Sequence, residues 1–203
     1  MDNNLSAIIV SRKNGNESFI AKGIRLENKL LGFWQWACSD LSSNTMRGIL
    51  AEYIVASELG IATNTRREWD AYDLETKDSV KLEIKSASYL QTWAQPKLSE
   101  ILFDIAPTKG WNASTNEYSS EIKRQADIYV FCLLHHQEKS TLDPLDLDQW
   151  TFYLLSTAVL NAKKPSQKKI GLSALLKLNP VQVSYGEIGL AIEKIISASQ
   201  QRG

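Results

Sequence analysis

The run "ADIYVFCLL", residues 126–134, limits the fold more than any other stretch of this chain. Nine nearly uninterrupted apolar residues, with β-branched and aromatic side chains among them, predict a strongly buried strand. A second such strand, "DQWTFYLLS", follows the acidic linker "EKSTLDPLDLD". Upstream, "WDAYDL" and "VKLEIKSA" read as two strands of a hairpin turned by the polar "ETKDS", and "EILFDIAP" reads as a third strand ended by Pro107. Residues 108–120 read as a loop, and "EIKRQ" as a helical turn before the buried strand.

Helices are expected on either side of these strands. Leu26, Leu30, Phe33, Trp34, Ala37, Cys38 and Leu41 recur at helical spacing, with Trp36 off the main stripe and free to meet a partner. Most of that apolar load is expected to pack on the core. Residues 45–59 predict a second helix, with Ser43 or Asn44 as N-cap and Gly60 as its stop. A short strand is expected over residues 5–10. The tail carries the basic "NAKKPSQKK", then "GLSALLKL", then a last helix around "YGEIGLAIEKIIS". The order says mixed α/β. With 203 residues, 43% of them hydrophobic, one domain with a sizeable core is expected.

Charge excludes the simplest nucleic-acid reading. Lys plus Arg and Asp plus Glu both number 23, so any nucleic-acid surface must be a local patch offset by acids elsewhere. The densest basic patch is Lys163 to Lys169, with a solvated loop as its default reading and phosphate contact as the other. Cys38 and Cys132 are expected to be free buried thiols, and neither has a zinc-ligand partner at the right spacing. His135 and His136 lack zinc-enzyme spacing and read as a surface cap. No secretion signal and no apolar run of about 18 residues is found, so a cytoplasmic protein away from membranes is expected.

The chemistry is carried by four residues. Period-two alternation puts Val80, Leu82 and Ile84 on one face of a strand and Lys81, Glu83 and Lys85 on the other. An isolated E-x-K is most simply a solvated, salt-bridged face. On the second helix, Ile49, Tyr53, Val55, Ala56 and Leu59 form an apolar arc, with Leu50 and Ile54 outside it. Glu52 falls inside that arc, while Arg47 and Glu58 fall opposite. A core-facing carboxylate must be paired or bind metal. Its candidate ion-pair partners are Arg47, Arg66 and Arg67.

A helical Glu, an Asp ten residues before Glu-x-Lys, and strands in this order resemble the PD-(D/E)xK nuclease superfamily over residues 45–134. The matching residues are Glu52, Asp73, Glu83 and Lys85; Tyr72 stands where the family's name has Pro, and Asp70 competes with Asp73. The resemblance implies a restriction-endonuclease-like αβββαβ core with a mixed central sheet flanked by helices. Residues 1–44 would add an N-terminal strand and helix, and residues 135–203 a C-terminal strand and accessory helices. It further implies a nuclease acting on DNA, in a restriction or defence setting, with Mg²⁺ as cofactor and Mn²⁺ able to substitute. Asp73, Glu83, the Ile84 carbonyl and Glu52 would hold metal, as suits a hard cation that takes oxygen ligands. Lys85 would orient the nucleophile and neutralise phosphate charge. Gln91, Ser86, Arg66 and Arg67 are candidate substrate contacts, as are Tyr89, Trp93 and Trp111 with Lys97 and Lys109. A homodimer is compatible with this reading. The alternative is a non-cleaving nucleic-acid- or protein-binding module on the same fold, or a chain whose charged strand face is merely solvated.

Overall fold

The computed structural model describes residues 8–66, 71–112 and 117–200. The first strands are β1 (Ser18–Ala21) and β2 (Ile24–Lys29), followed by helices α1 (Leu30–Cys38) and α2 (Asn44–Glu58). Next come β3 (Leu74–Glu75), β4 (Lys81–Ser88), β5 (Leu102–Asp104), β6 (Thr108–Asn112), β7 (Glu117–Lys123) and β8 (Ile128–Leu134). The chain ends with β9 (Trp150–Ser156), α3 (Thr157–Lys163), β10 (Lys169–Gly171), α4 (Leu172–Leu176), β11 (Val181–Val183) and α5 (Ile188–Gln200). Among the described residues no helix is long and apolar enough to cross a membrane.

A five-stranded mixed sheet, in the order β11-β9-β8-β4-β3, forms the centre. All seven residues of β8 are buried, as their composition demands. β8 runs parallel to β4, with Glu83 opposite Tyr129 and Lys85 opposite Phe131, and antiparallel to β9. Both faces of the sheet are covered. On one, Leu82, Ile84, Val130, Cys132 and Leu154 pack with Ala51, Ile54 and Val55 of α2 and with Ile188 and Ile192 of α5. On the other, Ala87, Tyr129, Phe131 and Leu155 pack with Phe103 of β5, Leu160 of α3, Ile170 of β10 and Leu175 of α4. A parallel pair needs a long crossover. Here residues 89–127 make it, using β5 and the antiparallel hairpin β6–β7.

Several local expectations are corrected. Residues 108–112 and 117–123 are hairpin strands, so the expected loop and the helical turn at "EIKRQ" are replaced by β structure, with Trp111 and Tyr118 in ring contact at 4.7 Å. No helix stands between β5 and β8 among the described residues. β5 pairs with β10 rather than joining the main sheet. Residues 8–10 form no strand, and the helix expected from Leu26 begins at Leu30, because Ile24–Lys29 pairs with β1 as a strand. Nor does α1 pack on the core: none of its residues is buried, Phe33 is 47% exposed and Trp36 84%.

For α2 the boundaries hold and the buried face differs. Ser43 caps the helix by accepting from the Met46 N–H, and Gly60 follows it with a positive φ of 65°. Its buried residues are Arg47, Ala51, Ile54, Val55 and Ala56, while Tyr53 is 56% exposed. A helix apolar around most of its girth has no unique stripe, so the sheet decides which side goes inward. Arg47 is accommodated because its guanidinium donates to the Ser42 carbonyl and to Asn44 Oδ1. Glu58 is not idle either. Its carboxylate accepts from the N–H groups of Gly186, Ile188 and Gly189, which caps the N-terminus of α5.

Candidate functional site

Asp73 and β4 meet at an open sheet edge. β3 is two residues long and pairs only with Lys81 and Leu82. Just before it, Asp73 donates its N–H to the Leu82 carbonyl at 3.1 Å and accepts the Ile84 N–H on Oδ2 at 2.7 Å. The N–H and C=O of a strand residue point to the same side. The Ile84 carbonyl therefore also faces the Asp73 edge, away from β8.

Alternation along β4 turns Leu82 and Ile84 into the core on the α2 side and projects Glu83 and Lys85 from the opposite face. There the Lys85 ammonium donates to Glu83 Oε1 at 2.6 Å, and both side chains are mostly buried. Burial pushes the Glu83 carboxyl up from its ordinary range, Lys85 opposes the shift, and the charges of Asp73 and Glu52 add to it. Burial alone would lower Lys85. The charges of Glu83 and Asp73, the Glu83 hydrogen bond and the charge of Asp104 outweigh it, so the ammonium is held above its ordinary value.

Glu52 approaches from α2. Both of its oxygens accept from Arg66, at 2.5 Å from Nε and 2.8 Å from Nη2, which is a bidentate ion pair. Of the three arginines named as partners, Arg66 makes this pair, Arg47 bonds elsewhere, and Arg67 lies outside the described residues, as does Asp70. Even so, burial raises the Glu52 carboxyl, and nearby Asp73 raises it further against the pull of Arg66. A cavity of about 400 Å³ opens beside Glu52, Arg66, Tyr72 and Asp73, with Arg12 and Tyr53 on its wall.

The other candidates scatter. Ser86 points toward α2, its Oγ 3.9 Å from where a Cβ on Gly48 would stand. Gln91 is buried and builds the following loop, donating to the Ser88 carbonyl and to Ser99 Oγ. Trp93 is 56% exposed. His135 and His136 bond Thr151 and Thr141, and both cysteines are free thiols. Two residues near Glu83 and Lys85 were not among the candidates. Asp104 on β5 acts on Lys85 by its charge, and buried Tyr129, Glu83's neighbour on β8, has its phenol pushed up first by burial and next by Glu83. The "LFDI" alternation, an acid between buried Phe103 and Ile105, was the available signal for Asp104.

Chemically, the edge gathers three carboxylates that repel one another against one lysine and one arginine. Among the described residues no three His, Cys, Asp or Glu side chains form a ready-made metal cluster. Asp73, Glu83 and the Ile84 carbonyl nevertheless offer the sparse, hard oxygen set that suits Mg²⁺, and a cation there would relieve the repulsion. Glu52 fits less well, since Arg66 occupies both its oxygens.

No curated protein matches the chain. Residues 9–173 match the family model described as bacteriophage T4 endonuclease IV, a span that takes in α2, the Asp73 edge, β4 and the whole central sheet except β11. That match covers most of the sequence and names a nuclease family: the chain belongs to the bacteriophage T4 endonuclease IV family.

Proposed function

We propose that this nuclease hydrolyses phosphodiester bonds in DNA with a divalent cation, Mg²⁺ or Mn²⁺, at a PD-(D/E)xK-type site, in a restriction or defence setting. The observation that carries the reading is the joint placement of Asp73 against the Ile84 N–H and Lys85 against Glu83, on adjoining positions of one sheet edge. Asp73, Glu83 and the Ile84 carbonyl would hold the cation. When bound, it supplies Lewis-acid polarisation of the phosphate and a more acidic water.

The chain's own groups do the rest. Lys85, kept protonated by the acids around it, works as a cation and not as a base. It neutralises charge that builds on the phosphate oxygens and orients the attacking water. Glu83 fixes the ammonium in place through its 2.6 Å ion pair. The Ile84 N–H holds one Asp73 oxygen in place, leaving the other free to turn outward. Glu52, clamped by Arg66, acts at one remove by setting the local charge.

A cleavage assay tests this. Supercoiled, linear, single-stranded and branched DNA, with RNA beside them, are incubated with protein in EDTA, Mg²⁺ or Mn²⁺. Cutting of DNA that needs metal and vanishes in both Lys85→Ala and Asp73→Ala is expected. Cutting that survives both substitutions sinks the assignment of the site. Absence of cutting by folded wild-type protein across the panel favours the non-cleaving module.

A further inference from the structure

The basic segment Lys163–Lys169 lies far from Lys85 in sequence, and the fold brings it beside the face that carries Lys85. β10 pairs antiparallel with β5, setting Lys169 opposite Asp104 and Ile170 opposite Phe103. Directly opposed residues of an antiparallel pair project to the same side with Cβ atoms about 5 Å apart. Phe103 anchors this ladder by an edge-on contact with Phe131 at 5.0 Å, on the sheet face from which Glu83 and Lys85 project. The Lys168 carbonyl accepts the Ile105 N–H at 2.8 Å, which extends the pairing.

A buried charge gives this loop its shape. Arg124 is 6% exposed, and its guanidinium donates to the Ile105 carbonyl at 2.8 Å, Asn161 Oδ1 at 2.7 Å, the Lys164 carbonyl at 2.8 Å and the Gln167 carbonyl at 3.2 Å. Burying a guanidinium is costly unless its donors are met. Here one acceptor lies on β5's exit, one on α3 two residues before Lys163, and two on the segment that carries the lysines. The loop is thereby clipped to the sheet while its side chains stay outside: Lys163, Lys168 and Lys169 are exposed. Among the described residues none of these lysines is ion-paired. A solvated loop has no need of a buried arginine to fix its main chain.

We propose that Lys163, Lys168 and Lys169 form a phosphate-binding rim that receives the backbone of the DNA strand entering the Glu83–Lys85 site. This rests on the nuclease reading above for the identity of the polyanion. Each lysine is a point charge that suits phosphate without reading sequence. Such contacts act on substrate capture and leave the chemical step alone.

The test compares two full-length triple variants of equal charge: Lys163→Ala/Lys168→Ala/Lys169→Ala, and a control with Lys13, Lys22 and Lys194 changed to Ala. Binding of short fluorescent single-stranded and duplex DNA is followed in EDTA over a range of salt, and cleavage kinetics are run beside it. The rim variant is expected to bind at least about tenfold more weakly at low salt, with the slope of log K against log salt flatter by about 0.7–0.9 for each phosphate no longer neutralised. KM should rise with kcat nearly unchanged. The control should keep the wild-type slope. If the wild type cuts and the rim variant matches it in slope and KM, the rim is refuted and the nuclease reading stands. If neither cuts but only the rim variant loses binding, the rim stands and the nuclease site falls. A control variant that loses as much as the rim variant refutes any localised rim.

Discussion

β8 and α1 carry similar loads of large apolar side chains and meet opposite fates. Every residue of β8 is buried, and none of α1 is. Strand β8 has a neighbour on each edge and cover on each face, whereas α1 follows a two-stranded ladder that itself exposes Ile20, Ile24 and Leu26. Apolar content sets what burial would be worth; only neighbours deliver it. The same contrast governs charge. On β4 the sheet forces Glu83 and Lys85 into partial burial, where their interactions strengthen; a similar pair, Lys123 with Glu121 on β7, lies exposed at 2.7 Å and is screened by water.

The largest effect expected on that contrast is beside the buried pair, at Asp73, whose charge acts on both Glu83 and Lys85. Asp73→Asn keeps an acceptor for the Ile84 N–H and removes the charge, so cleavage should fall by about a thousandfold, roughly 4 kcal/mol, while thermal unfolding stays near wild type. A matching loss from Lys123→Ala would break the distinction between the two ion pairs. Next, Phe131→Ala in β8 should cost about 3–5 kcal/mol of stability by denaturant unfolding, against less than about 0.5 kcal/mol for Trp36→Ser in α1. Equal costs would mean that α1 is covered in solution, and sedimentation would then reveal a second copy.

Glu58→Ala, which uncaps α5, is expected to cost about 1–2 kcal/mol in the same measurement. pH gives the smallest effect and the one with a diagnostic sign. Glu52 and Glu83 have folded-state values raised above those of the unfolded chain. Stability from that source is present below the unfolded value and declines as pH rises through the folded one. Metal binding and cleavage need the ionised forms, so activity should rise over the same window. Relative to Glu83→Gln, wild-type protein should lose thermal stability as pH climbs from the ordinary carboxylate range toward neutral. A constant difference would show that Glu83 is not perturbed.

That Asp73, Glu83 and Lys85 are neighbours was legible because Asp73 leads directly into one strand of a tight hairpin and the other two alternate along its partner, where alternation fixes the face and proximity in sequence fixes proximity in space. The limits of α2 were legible too, through Ser43 and Gly60, which are local backbone signals. Its inward side was not, since Leu50, Tyr53 and Ile54 compete equally on a helical wheel. Glu52's partner was narrowed to three arginines, and only packing chose Arg66. The β6–β7 hairpin was hidden because its strand-favouring residues, Thr108, Trp111, Tyr118 and Ile122, are scattered through a polar, glycine-containing stretch, and their pairing is visible only between its two halves.

What the sequence determined alone, then, is whatever rests on near neighbours: two buried strands, a capped helix, and an acid–acid–lysine set along one hairpin. The tertiary structure decided the rest. It left α1 uncovered, turned Glu58 into the cap of a helix 130 residues away, brought the charge of Asp104 to bear on Lys85, and clipped the main chain of the Lys163–Lys169 segment to Arg124. Those arrangements depend on β5 meeting β10 and on α2 meeting α5. Pairings across such long loops follow from the total fit of the core, and no local pattern encodes them.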